Sequence, residues 1–367
     1  MCQQRRLRPW FHYFPHFALL QGPTVQPCGF SGSCQRIARS RPHWEVIAMS
    51  RRKPYAQIID GISRSPNFDP DLLRAALEFR AQKGDLVLST YPKSGTHWMM
   101  YIIQLILKEG EPVSGFDEFM RNMRILGVVE FDAWKPSLPL RLFATHLPLS
   151  TAAMNKDAKY VYVARNPWDL CVSSYHMITT FDVYRFRDGT FEELFDAFLE
   201  GDCAGQGSYF DHVASGYALR NQPNLFFVTY EELKTDTRSV ILRLARFLGD
   251  DYGDKLEKQE ELLQGIEDRC ANDNMKRILA PKTQDCADRD WYNATKRIFS
   301  ANNRVFVEDF NQFSYVRKGE VGGWQRYFTR DQLRRLEAKI KQLEEHSCVM
   351  DLWMDTRAAA LKIIANE

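Results

Sequence analysis

Three short runs of aliphatic, aromatic and β-branched residues, at 86–89, 159–164 and 224–229, each end in a polar turn that opens into apolar residues at helical spacing. Parallel neighbours in a sheet can be joined only by a crossover, so strand, turn and helix repeated in this order predict a parallel sheet covered by helices. A fourth strand-like stretch covers 140–144, and Asp69 or Asp71 can cap a helix through Leu72, Leu73, Ala76, Leu77 and Phe79. The expected fold class is α/β, a single domain with a central parallel β-sheet flanked by helices. Ligands of such sheets collect beyond the carboxyl ends of the strands. That rule draws together residues 90–97, residues 165–173 and Tyr230.

The first of these turns carries the most chemistry. It reads Thr90-Tyr91-Pro92-Lys93-Ser94-Gly95-Thr96-His97-Trp98, with a helical stretch running on to Leu107. Backbone N–H groups in a tight turn, with the positive end of a helix dipole behind them, form a P-loop-like anion site. One lysine and two hydroxyls in the same turn point to a phosphorylated nucleotide. The order differs from a Walker loop, where lysine follows the glycines and a Ser/Thr ligates magnesium; here Lys93 precedes the one glycine, Gly95. No carboxylates cluster for magnesium, no C-x-x-C pair occurs, and no Cys/His spacing suits zinc, so no metal is expected.

The second strand exit reads Arg165-Asn166-Pro167-Trp168-Asp169, and Ser173 lies two helical turns on. A guanidinium fork and a hydroxyl suit a phosphate, although Pro167 near the first helical position and Asp169 in the first turn are also an ordinary helix start. Near the C-terminus, Arg317-Lys318-Gly319-Glu320-Val321-Gly322-Gly323-Trp324 puts two cations before a glycine, a pattern that serves a lid over an anion or a solvated turn. His146, in Phe143-Ala144-Thr145-His146-Leu147-Pro148, is the imidazole best placed to take a proton from a hydroxyl near neutral pH. His97, His176 and His212 are weaker candidates.

These motifs, P-K-S-G-T-x-W, then R-N-P-x-D with its serine, then R-K-G-x-x-G-x-W, stand in the order found in the cytosolic sulfotransferases, and the chain resembles that family over everything after Met49. The resemblance implies a co-substrate, 3′-phosphoadenosine 5′-phosphosulfate (PAPS), and transfer of its sulfuryl group to a hydroxyl or amine of a small lipophilic acceptor such as a phenol. It implies His146 as the general base and Lys93 as the cation at the leaving oxygen. Ser94, Gly95, Thr96 and His97 would hold the 5′-phosphate. Arg165, Ser173, Arg317, Lys318 and Gly319 would hold the 3′-phosphate, and Trp98 and Tyr230 would contact adenine.

Three positions depart from the family pattern. Ala144 stands where many relatives have a lysine. Asn272 aligns with an aromatic residue that covers adenine. The dimer motif is degenerate, with Gln325, Thr329, Arg330 and Arg334 at its positions, so dimerisation there is not supported. Apolar surface for the acceptor is available from Phe116, Phe119, Met120, Met123, Phe131, Trp134, Tyr175, Phe181 and Tyr184. Two other readings remain open on the residues alone: a nucleotide phosphotransferase, and a weakly catalytic protein that binds the cofactor or an apolar ligand.

Charge separates the first residues from the rest. The first 44 carry six arginines and no acid, which leaves 43 basic against 47 acidic residues in the remainder. Such a body is not a general nucleic-acid binder. Residues 1–48, broken by five prolines, read as a disordered extension; Met49 as the working start fits better than a mitochondrial-type presequence. The eight cysteines are scattered, no run of 18 or more apolar residues appears, and a cytoplasmic protein that does not enter a membrane is expected.

Overall fold

The structure is a computed structural model, and it describes residues 52–279, 288–299 and 318–366. The extension expected over 1–48, and Arg317, lie outside the described residues. The chain first makes a small antiparallel hairpin, β1 (Gln57–Ile59) and β2 (Ile62–Arg64). Asp60 and Gly61 turn it, both at positive φ, the conformation that a two-residue hairpin turn requires. Asp69 then caps the helix Pro70–Glu78 by accepting from the amides of Asp71 and Leu72.

Five further strands form one sheet: β3 (Asp85–Thr90), β4 (Arg124–Ile125), β5 (Arg141–Thr145), β6 (Lys159–Ala164) and β7 (Leu225–Thr229). Their order is β4-β5-β3-β6-β7, and every pair is parallel. The expected α/β class therefore holds. The hairpin and the two-residue β4 were not foreseen, because runs this short carry too few alternations to register as strands.

The period-two geometry of the strands sorts their side chains into two cores. Leu86, Leu88, Leu142, Ala144, Val161, Val163 and Val228 face one cluster, which contains the helices Thr96–Leu107 and Thr237–Leu248. Val87, Phe143, Tyr160, Tyr162, Ala164 and Leu225 face the other, which contains the helices Pro167–Thr180, Tyr209–Ala218 and Arg330–Glu344. A sheet buried on both faces explains why its strands read as nearly continuous apolar runs. Among the described residues, no helix is long and apolar enough to cross a membrane.

Asp169 ties the C-terminal segment to the sheet. It is buried in the first turn of the helix Pro167–Thr180. Its carboxylate accepts from Gly322 N at 2.7 Å, Trp324 N at 3.1 Å and Asn166 Nδ2 at 3.1 Å. Trp324 packs against Trp168 with ring centroids 6.1 Å apart. Replacing the carboxylate by a methyl group leaves buried N–H groups unpaired, at about 1–3 kcal/mol each. Asp169→Ala is expected to lower the urea midpoint and to expose the 318–324 segment to protease, with Asp169→Asn intermediate. An unchanged midpoint and digestion pattern would refute this anchoring.

Candidate functional site

The register of the sheet brings the functional turns together. Ser89 pairs with Thr145, Thr90 with Val163, and Ala164 with Thr229, so the chain leaves β3, β5, β6 and β7 at one edge. At the exit of β3 the loop is closed by a 2.7 Å hydrogen bond between the hydroxyls of Thr90 and Thr96. Gly95 begins the helix Thr96–Leu107 at φ 106°. A Cβ there would stand 2.9 Å from the Tyr230 ring, so both the conformation and the space require glycine. Lys93, a non-glycine residue, is also at positive φ, 73°. Strain of that kind costs on the order of 1–3 kcal/mol and persists where surroundings fix it. Here Arg165 Nη1 donates to the Lys93 carbonyl at 3.0 Å.

Arg165 is the hub of the site. Only 8% of it is exposed. Besides Lys93, its Nη2 donates to the Glu320 carbonyl at 3.3 Å, and its guanidinium lies 4.2 Å from the centre of the Tyr230 ring. Trp98 meets the other side of that group, edge-on to Tyr230 at 5.5 Å. Three buried donors at this end, Arg165 Nε, Ser94 Oγ and Trp98 Nε1, have no hydrogen-bond partner. Buried polar atoms are nearly always paired, so the orphans of Arg165 and Trp98, which line one cavity, with Ser94 buried in the adjoining turn, fit a ligand rich in acceptor oxygens or nitrogens.

One cleft of about 220 Å³ is lined by Lys93, Gly95, Thr96, His97, Trp98, His146, Arg165, Ser173, Tyr230, Lys318 and Gly319. Ser94 lies buried in the same turn. The residues that the resemblance assigned to the co-substrate and to proton transfer therefore gather around one cavity, Arg317 excepted as lying outside the described residues. Lys234 joins them unforeseen; its ammonium sits 5.5 Å from the Trp98 ring, and no motif distinguishes it from an ordinary helix lysine.

His146 is held by the end of β3. Its Nδ1 is 2.8 Å from the Thr90 carbonyl oxygen. A carbonyl can only accept, so Nδ1 carries the proton and Nε2 keeps its lone pair. Burial depresses the imidazole pKa and the nearby Lys93 charge depresses it further, while the Thr90 hydrogen bond works the other way. His97 is pushed down to about 3, chiefly by burial and then by the charges of Lys93 and His146. Both rings are neutral at physiological pH. His176 and His212 do not line the cleft: His176 Nε2 is 2.7 Å from the Tyr327 hydroxyl, and His212 Nδ1 is 2.7 Å from that of Tyr162.

The three departures have structural counterparts. Ala144 is wholly buried in one core cluster. Asn272 begins the helix Asn272–Ile278 and donates through Nδ2 to the Lys318 carbonyl at 3.0 Å, so it holds the 318–320 segment over the cleft. Thr329, within the degenerate dimer motif, caps the helix Arg330–Glu344 through a capping box with Gln332.

Of the nine residues proposed for the acceptor surface, Met120 and Phe181 reach the cleft. Phe119, Met123, Phe131 and Tyr184 are packed in the cores instead, and Phe116, Trp134 and Tyr175 pack beside them. Phe68, Ile125, Val128 and Trp291 take their place in the lining. Phe68 and Val128 lie in loops, Ile125 in β4 and Trp291 in the helix Arg289–Phe299, and no local pattern links them.

A family model, the sulfotransferase domain, matches residues 83–347. Sulfotransferase 1B1 of Mus musculus is 32% identical over 282 residues, covering 72% of this chain and 84% of that protein. The 3-beta-hydroxysteroid sulfotransferase of Cavia porcellus is 30% identical over 270 residues, covering 71% and 84%. The crystal structure of mouse sulfotransferase SULT7A1 complexed with PAP aligns with TM-score 0.60 and 25% identity, over 83% of this chain and 99% of that one.

The buried histidines make stability pH-dependent. His212 is 3% exposed, and burial holds its pKa at about 3, against an unfolded value near 6.5. Between these values the unfolded chain binds the extra proton, so stability falls as pH falls. Lowering pH from 7.5 to 5 should remove about 1–2 kcal/mol through this residue, read from urea midpoints. His212→Gln should be less stable at both pH values yet show a shallower pH slope; an unchanged slope would contradict the assignment.

Proposed function

The chain belongs to the sulfotransferase domain family and is a PAPS-dependent sulfotransferase, and from that premise we propose that His146 is the general base and Lys93 the electrophilic cation of the transfer. The observation that carries this reading is the Nδ1 bond from His146 to the Thr90 carbonyl, which leaves Nε2 as a proton acceptor in the cleft that Lys93 also lines. PAPS supplies the electrophilic sulfur and an anionic leaving group. His146 Nε2 takes the proton of the acceptor hydroxyl or amine, and becomes a cation stabilised by the Thr90 carbonyl. Lys93 places positive charge where charge accumulates on the leaving oxygen, and the amides of the 94–97 turn do the same for the phosphate beside it.

The unpaired Ser94 Oγ, Trp98 Nε1 and Arg165 Nε fit this co-substrate. Ser94, Gly95, Thr96 and His97 receive the 5′-phosphate. Arg165, Ser173, Arg317, Lys318 and Gly319 receive the 3′-phosphate, and Trp98 and Tyr230 bracket adenine. Asn272 cannot stack on a base, so its contribution is to keep the lid seated through Lys318. The acceptor is a small lipophilic alcohol, phenol or amine. The apolar lining by Phe68, Met120, Val128 and Phe181 supports that class, as does the relative named for hydroxysteroids.

Labelled sulfate transfer from PAPS to a panel of phenols tests the reading. His146→Ala should lose about 10²–10⁴-fold in kcat while calorimetry still detects PAP binding. Wild-type turnover from magnesium ATP, or full activity in His146→Ala, would overturn it. The pH profile adds a second check. Protonation disables the base, so kcat/KM should fall as pH drops, with a midpoint below the ordinary imidazole value. In Lys93→Met, removal of the neighbouring charge should raise the His146 pKa followed by imidazole NMR; a fixed pKa would remove Lys93 from the vicinity of the base.

A further inference from the structure

Besides Phe68, Met120 and Phe181, the cleft is lined by Ser65, Asn67 and Gln206. These three come from the exit of β2 and from the loop before the helix Tyr209–Ala218, and they meet at the buried phenol of Tyr184. Asn67 Nδ2 donates to the Tyr184 hydroxyl at 2.8 Å, and the side chains of Ser65 and Gln206 stand beside the same phenol. This leaves Asn67 Oδ1 buried without a partner. Unless a ligand brings a donor to it, that oxygen stays unpaired, a penalty of about 1–3 kcal/mol that native sites avoid. Among the described residues the cleft lining contains one carboxylate, Glu320, which belongs to the lid segment whose carbonyl Arg165 holds.

We propose that the acceptor carries, besides its nucleophilic group, a second and uncharged hydrogen-bond donor, a hydroxyl or amide N–H, that bonds to Asn67 Oδ1. The skeleton between the two groups lies on Phe68, Met120 and Phe181. Tyr184 holds the Asn67 amide in place through its own hydroxyl. Among the described residues the lining offers no carboxylate other than Glu320 of the lid segment to favour an ammonium group, so the donor is neutral. This rests on the reading above that the apolar lining of the cleft receives the acceptor.

The test uses matched phenols of increasing chain length: 4-alkylphenols, their ω-hydroxy analogues, and ω-methoxy analogues that accept but do not donate. With wild-type protein and PAPS, the best-fitting ω-hydroxyphenol should exceed its alkyl and methoxy counterparts by about tenfold in kcat/KM. Dissociation constants measured by calorimetry on the PAP-bound protein should follow the same ranking. Asn67→Leu should bring the hydroxy-to-alkyl ratio to about one, whatever its absolute rate, and Asn67→Ser should keep part of the preference. A wild-type ratio near one at every length, an equal gain from methoxy, or a preference that survives Asn67→Leu would overturn the proposal while leaving sulfuryl transfer intact. Failure of wild-type protein to sulfate any phenol would instead overturn the acceptor assignment beneath it.

Discussion

A buried guanidinium without a buried counter-charge organises this protein. Arg165 makes no ion pair among the described residues. It is held by two backbone carbonyls, those of Lys93 and Glu320, and by the face of Tyr230. Those partners come from the exit of β3, the C-terminal segment and the exit of β7. One side chain therefore fixes the phosphate turn, the lid and the aromatic wall relative to one another. A cation in such a place is costly unless its charge is met. An anion bound in the cleft would meet it, and ligand binding and seating of the C-terminal segment would then draw on the same free energy.

The same economy of charge separates the two halves of the cleft. The charge of Lys93 and burial together lower the pKa of both His97 and His146. In the proposed transfer, that charge would resist premature protonation of the ring that takes the proton. Thr90 supports both halves, its carbonyl fixing the His146 tautomer and its hydroxyl closing the turn onto Thr96.

Much of this was legible in the chain. The runs at 86–89, 159–164 and 224–229 became adjacent parallel strands because a sheet covered on both faces demands apolar residues at every position. The P-K-S-G-T turn, Arg165, Ser173 and Lys318-Gly319 were marked by residue type, spacing and the family resemblance, and Lys93, Gly95, Thr96, Arg165, Ser173, Lys318 and Gly319 line one cleft. The apolar wall of the cleft was not legible. Phe119 and Phe131 are as aromatic as Phe68, yet they are core and Phe68 lines the cleft. Composition cannot tell a wall from a core when the wall is assembled from separate loops.

Sequence by itself determined the sheet type and marked the glycine turn at 90–98 and the pair Lys93 and His146 as candidates, because strand periodicity and short motifs are local features. Only the tertiary structure decided which face of His146 is free, that Asn272 holds the lid through the Lys318 carbonyl, and that Ser65, Asn67 and Gln206 converge on Tyr184. Those facts depend on hydrogen bonds and contacts between segments many residues apart, whose meeting is set by how the whole chain packs.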